Sequence, residues 1–458
     1  MPVLPSVPSS AINTSPPLAS TEKSALKYRP DIDGLRAIAV IAVVIFHAFP
    51  RTIRGGFIGV DIFFVISGFL ISSIIFVNLD NNKFSFIDFY KRRIRRIFPA
   101  LIFVLSVCLA FGWFVLLNYE YRQLGKHIAA GAGFISNFVL WNEAGYFDQT
   151  AATKPLLHLW SLGIEEQFYI LWPVLLWFVW KRKYNLLIII ISLAVISFFF
   201  SVYEIKNNPV ATFYSPLTRF WELLSGSILA WVSFNKRDEI EKVRNKLSGW
   251  FQSLRTNTPQ NDSTILINVI SIFGVLFLIY GFWRIHRSLN FPGKWAVIPV
   301  LGAVLIICAG PAAWVNRKIL SCKFLVWFGL ISFPLYLWHW PIITFMNIID
   351  DGYVSIAARI GAIILSVLLA WLTYQFIEKP VRFKGNSRVI TIILILLMII
   401  MGLSGYYTYL RNRSGIPNQE EFTDVIVKEY GCEKEIPESG SYCSLSKKGV
   451  PPTIAFIG

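Results

Sequence analysis

The chain has 458 residues, 55% of them hydrophobic and only 15% charged, with a net charge of +16. So apolar a composition excludes an ordinary soluble enzyme and reads as a polytopic membrane protein. The basic residues fall in short loops between apolar runs, the pattern of positive-inside insertion, and form no continuous basic face, which argues against a nucleic-acid partner.

Residues 1–27 are rich in Pro, Ser and Ala without periodicity and lack the apolar core of a signal peptide, so they read as a disordered cytoplasmic tail. Apolar runs then follow at about 35–50, 57–79, 97–117, 160–180, 185–203, 215–234, 264–284, 295–313, 324–346, 354–377 and 388–410. Each approaches the ~20 residues that a bilayer crossing needs, which predicts eleven passes. The segment 124–142, with Lys126, His127 and Asn137, is weakly apolar. Counting it as a pass would place the later basic loops outside, so it reads as re-entrant or surface-lying. The expectation is an all-α polytopic fold: a membrane domain of about ten spans over 28–384, one additional helix over 385–410, and an extracytoplasmic tail over 411–458. In that tail Cys432 and Cys443 are placed for a disulfide. The closing run 453–458 reads as the first strand of an α/β domain cut short. Cys108, Cys308 and Cys322 lie in or beside apolar runs and read as free packing thiols.

Charges in hydrocarbon are costly and need a reason. Arg36 and His47 are eleven residues apart, so a helix returns them to nearly one face, ~16 Å apart along its axis. An interfacial arginine with a capping histidine explains them less well than a functional pair, in which the histidine serves as base or acyl relay. Asp61 opens a Gly- and Ser-rich helix, where it either complements the helix dipole or orients a cation. Arg92, Arg93, Arg95 and Arg96 form two overlapping Arg-x-x-Arg pairs, which are either a topology signal or forks for a phosphate. His158 and Glu165 are seven apart and share a face, with Glu166 pointing elsewhere; ion pairing with Arg219 or Arg359 is the competing account. Trp338-His339-Trp340-Pro341 sets a histidine in mid-span with a proline expected to kink it. Tyr374 and Glu378 lie one turn apart, and Pro380 is expected to end their helix. No Gly-rich phosphate loop and no convincing metal-ligand cluster is evident.

Together these stretches resemble the acyltransferase family 3 membrane proteins. The pieces that match, in family order, are Arg36-x10-His47, Gly56-Phe57-x-Gly59-Val60-Asp61-x-Phe63-Phe64-x-x-Ser67-Gly68, the Arg-x-x-Arg run, His158-Leu159-Trp160-Ser161-Leu162 with Glu165-Glu166-Gln167-Phe168-Tyr169, Leu337-Trp338-His339-Trp340-Pro341, and Tyr374-x3-Glu378-x-Pro380. The closing Ile454-Ala455-Phe456-Ile457-Gly458 resembles the lead-in to a fused SGNH domain. The resemblance implies an inner-membrane O-acetyltransferase with cytoplasmic acetyl-CoA as donor and no metal. It puts the donor phosphates on Arg92, Arg93, Arg95 and Arg96. Acyl transfer falls to Arg36 and His47, with Glu165, Glu166, His339 and Asp61 as further catalytic positions and His158, Tyr374 and Glu378 as other motif positions. The implied acceptor is a cell-surface polysaccharide, with lipopolysaccharide O-antigen the first expectation. The rival readings are an acetyl-relay subunit that needs a separate acceptor protein, and a proton-coupled transporter, for which no internal repeat speaks.

Overall fold

The computed structural model describes residues 28–144, 153–235, 262–286, 288–350, 354–383 and 385–411. Among these residues the regular structure is helical throughout, with no strand. In chain order the helices are α1 (Pro30–Ala48), α2 (Gly59–Asp80), α3 (Phe86–Val115), α4 (Asn118–Ala132), α5 (Ser136–Glu143), α6 (Leu159–Lys181), α7 (Leu186–Glu204), α8 (Pro209–Tyr214) and α9 (Pro216–Asn235). They continue as α10 (Asp262–Arg284), α11 (Val297–Ala309), α12 (Lys323–Leu330), α13 (Ser332–Ile349), α14 (Ile356–Leu372), α15 (Lys379–Phe383) and α16 (Ser387–Leu410).

Seven of these helical stretches among the described residues are long and apolar enough to cross a membrane, and the α12–α13 pair, bent by 66°, would make an eighth. Three of the eleven expected passes fall short. α1 carries Asp31, Asp33 and Arg36, α9 carries Arg219 and Glu222, and α11 has only 13 residues. In α1 and α9 the charged groups find protein partners inside the bundle, whereas α11 is apolar throughout and falls short by length alone. By contrast α7, α10 and α16 are mostly exposed and apolar, as lipid-facing helices should be. The weakly apolar stretch 124–142 does not span. It breaks at Phe134, which sits at φ +55°, into α4 and α5.

Two expected proline effects move. Pro341 lies inside α13, and the sharp bend falls instead at Ile331, between α12 and α13. Pro380 does not end its helix. A wider-wound turn over Thr373–Glu378 precedes it, and α15 runs on to Phe383. Such a turn shifts the backbone pairing, so the missing proline N–H comes at little cost.

The core divides in two. One cluster gathers side chains of α1, α2, α6, α7, α9 and α11; the other joins α1, α3, α4, α13 and α16. Phe63, Phe333 and Tyr336 pack against both and mark the seam between them. Small residues permit the closest crossings. At Gly68 and Gly226, α2 and α9 meet backbone to backbone, and at Gly125 and Gly405 so do α4 and α16. Of the expected free thiols, Cys108 is buried and Cys308 exposed, with Cys322 between. Cys432 and Cys443 lie outside the described residues.

Candidate functional site

The seam opens into a cleft whose walls include Phe63, Phe333 and Tyr336. Arg36, Arg93 and Arg96 line it together with Ser67, Ser161, Glu165, Glu166 and Tyr169, and the rest of the wall is aliphatic or aromatic. The helical repeat explains which of the four clustered arginines take part. Arg93 and Arg96 are three apart and share the inward face of α3, while Arg92 is exposed and Arg95 donates to the Val381 carbonyl at 2.9 Å. Arg93 lies against the Tyr169 ring at 5.7 Å, and its Nε is buried without a hydrogen-bond partner. Arg36 approaches Asp33 at 3.5 Å.

Glu165 accepts hydrogen bonds from the Ser67 and Tyr169 hydroxyls. Glu166, expected to point elsewhere, also lines the cleft, and its Oε1 has no partner. The cleft is wide enough to receive two successive helix positions. Neither glutamate pairs with Arg219 or Arg359. Arg219 is fully buried between Asp61 and Glu222, at 3.1 Å from each, with four aromatic rings 5.5 to 5.9 Å from its guanidinium. Arg359 donates to the Ala48 and Val354 carbonyls. Asp61 thus does orient a cation, but away from the cleft wall.

The histidines converge at the other end of α1. His47 Nδ1 lies 3.0 Å from His339 Nε2, and the His47 ring meets Trp340 edge-on at 4.6 Å. His158 packs against His339 and Tyr336, with ring centroids at 5.8 and 5.3 Å. It sits in the turn before α6, so it does not share a helix face with Glu165. Tyr336 joins the two ends: its hydroxyl bonds Ser161 at 2.6 Å and donates to the His158 carbonyl at 2.8 Å. Tyr374 and Glu378 stand outside the cleft wall, and Glu378 approaches Arg382 at 3.6 Å. Ser67, Ser161 and Tyr169 lie within the motifs of the sequence but had no role assigned there, and Tyr336 lies just outside them. The available signal was spacing, since Tyr169 is one turn from Glu165 and Tyr336 one turn from His339.

Beside the histidines, Glu143 draws together Lys126 at 2.7 Å, His127 at 2.9 Å and Lys154 at 3.1 Å. The Lys154 carbonyl in turn accepts from Trp340. Burial alone would raise the Glu143 carboxyl, but hydrogen bonds from His127, Lys126 and Lys154 outweigh it and hold the group well below the usual carboxylate range. A lowered folded-state value means the stabilisation is present above about pH 4.5 and drains away as pH falls below it. Glu143→Gln is therefore expected to destabilise the fold at pH 7 by about 2 kcal/mol, less than a fully buried pair because Lys126 is partly exposed. Melting curves of both proteins in detergent should converge as pH drops below 4.5; a gap that persists unchanged would rule the ion group out as the cause.

The sequence matches the acyltransferase domain family over residues 29–375. It is similar to the O-acetyltransferase OatA of Staphylococcus aureus, 31% identical over 421 residues, covering 87% of this chain and 66% of the relative. It is also similar to the peptidoglycan O-acetyltransferase OatA of Listeria monocytogenes, 33% identical over 376 residues, covering 80% of this chain and 57% of the relative. A third relative is the putative peptidoglycan O-acetyltransferase YrhL of Bacillus subtilis, 34% identical over 368 residues, covering 78% of this chain and 56% of the relative. The chain thus spans between about half and two thirds of the length of these relatives. No solved structure matches it.

Proposed function

The chain belongs to the acyltransferase domain family, and on that premise we propose that it is a plasma-membrane O-acetyltransferase moving acetyl from cytoplasmic acetyl-CoA toward a hydroxyl of an extracytoplasmic polysaccharide. The single observation behind the donor reading is the buried, unpartnered Nε of Arg93 in a cleft that Arg36 and Arg96 also line. Planar guanidinium forks suit phosphate oxygens, and the apolar remainder of the wall suits the uncharged arm that carries the thioester. The arginine end then faces the cytoplasm and the histidine end the opposite side. His47 would take the proton of the attacking hydroxyl. As the acceptor oxygen bonds the acetyl carbon, the C–S bond breaks, and the proton returns to the departing thiolate. Arg36 would hold the donor at the near end of the same helix.

The names of the relatives move the first acceptor to test from O-antigen to peptidoglycan. Their greater length also keeps the relay reading in play, in which a separate or further domain receives the acetyl group. Acetylated glycan formed by this chain alone would discard the relay.

Purified protein with radiolabelled acetyl-CoA tests the donor. Arg93→Ala removes a charge-assisted contact of about 1.5–3 kcal/mol, so donor affinity should fall about 10- to 100-fold. Arg92→Ala, at an exposed position off the cleft, should stay within about 2-fold of wild type. Equal losses in the two would reduce the arginine run to a topology signal, and no engagement by folded wild type would favour the transporter.

A further inference from the structure

We propose that Asp61 and Glu222 share one bound proton, carried on Glu222, so that the buried cluster they form with Arg219 is electrically neutral. All three side chains are fully buried. Arg219 Nη2 donates to Asp61 Oδ1 at 3.1 Å, and its Nη1 lies 3.1 Å from Glu222 Oε1. Two carboxylates against one guanidinium leave a negative charge in excess. Among the described residues no second cation comes within ion-pair distance of either carboxyl. An interior of low polarity does not sustain such a charge, and the group takes up a proton instead.

Hydrogen bonding leads to the same result. The two carboxyls lie within hydrogen-bonding reach of each other. Asp61 Oδ2 and both Glu222 oxygens are buried without a donor. Ionised, the pair would be acceptor against acceptor; one proton makes one of them a donor and serves both. Asp61 is the better anion, because it lies in the first turn of α2, where backbone N–H groups favour negative charge, and it takes the Arg219 hydrogen bond. Glu222 lies in the second turn of α9 without that help, so the proton sits there. A metal ion fits less well. Two carboxylates supply few of the oxygens it needs, and no group of three or more acidic, histidine or cysteine side chains suited to one occurs among the described residues.

The neutral cluster fastens the back of the cleft. The Arg219 guanidinium faces Phe64 on α2, Trp160 on α6, Phe213 on α8 and Phe291 before α11. Phe64 lines the cleft, as does Ser161 beside Trp160. From the cluster α2 and α9 run on together through Gly68 and Gly226 to the Ser72–Ser227 bond, so neither carboxyl can retreat from the other. Ionising Glu222 would set like charges side by side at that contact.

Infrared spectra of the folded protein in detergent at neutral pH read the proton without substrate. Wild type minus Glu222→Gln should show the carbonyl stretch of a protonated carboxylic acid. Asp61→Asn should lose the same band, because Glu222 then becomes the counter-ion of Arg219 and ionises. Glu222→Gln keeps the shape and offers an amide hydrogen to Asp61, so it should melt within about 3 °C of wild type. Asp61→Asn combined with Glu222→Gln leaves Arg219 without a counter-charge and should lose most of its folded yield. A difference spectrum without the band overturns the proposal, as does a Glu222→Gln protein no more stable than the double variant. Wild type that lacks the band and melts higher as sodium is added would put a metal cation in place of the proton.

Discussion

Replacing His47 with glutamine is expected to lower acetyl transfer about 10²- to 10⁴-fold while leaving donor KM within about 2-fold of wild type, the range for losing a general acid–base group. The separation of effects follows from α1. Eleven residues of helix set Arg36 and His47 about 16 Å apart. Arg36 shares its cleft with Arg93 and Arg96, whereas His47 contacts His339 and Trp340. On the proposed reading, binding and chemistry occupy opposite ends of one helix. Glutamine fills similar space and preserves a polar contact to His339, so the protein should fold normally. Single-turnover release of labelled acetate or product, at saturating acetyl-CoA, measures the step directly. A variant retaining more than about a tenth of wild-type turnover would remove His47 from the chemistry.

Gly68→Ala is expected to cost about 3 kcal/mol or more and to reduce the yield of folded protein sharply. A Cβ there would stand 1.8 Å from the Leu223 carbonyl oxygen, and one at Gly226 would stand 2.1 Å from that of Val65. Both obstacles are backbone, so no rotamer change relieves them, and α2 must separate from α9. That separation would also break the buried Ser72–Ser227 bond of 2.7 Å, which joins the same two helices. Because α2 supplies Phe63, Phe64, Ser67 and Leu70 to the cleft wall, activity should fall with stability. Gly361→Ala is the control: a Cβ there meets nothing within 4 Å, so it should be neutral or stabilise α14 by up to about 1 kcal/mol. Melting temperatures of the three proteins decide it. A Gly68→Ala protein that melts with wild type would mean the crossing is looser than described.

Much of this architecture was readable from residue order alone, because apolar runs announce lipid-facing helices and charges within them announce polar contacts. The helical period sufficed to pair Arg93 with Arg96 and to set Arg36 and His47 on one helix. It did not reveal that Arg92 and Arg95 turn away, since all four are chemically alike and only packing separates them. Three helices that read as membrane passes fall short of the length or apolar composition of a lone crossing, and sequence period does not tell burial in protein from burial in lipid. The partner of Asp61 was out of reach for a different reason: Arg219 lies 158 residues away, and sequence period carries no information over that distance. The meeting of His47, His158 and His339 from three separate segments is of the same kind. The break at Ile331, by contrast, had a local signal, since Gly329 stands two residues before it and Pro334 three after.

The contact at Gly125 and Gly405 bears on where the folded unit ends. The family match stops at residue 375, yet α16, beyond it, is no mere tether. A Cβ on either glycine would come within 2.7 Å of the other's carbonyl oxygen, and Arg122 reaches the Tyr409 carbonyl at 3.0 Å. Ser106 on α3 touches the Met401 sulfur at 3.3 Å. Cutting the chain at the edge of the matched region would therefore bare a glycine-floored trough along α4, shaped for a helix and poorly filled by acyl chains. In this protein the border of sequence kinship and the border of cooperative folding do not coincide, and residues outside the first hold α3 and α4, and with them Arg93 and Arg96, in place.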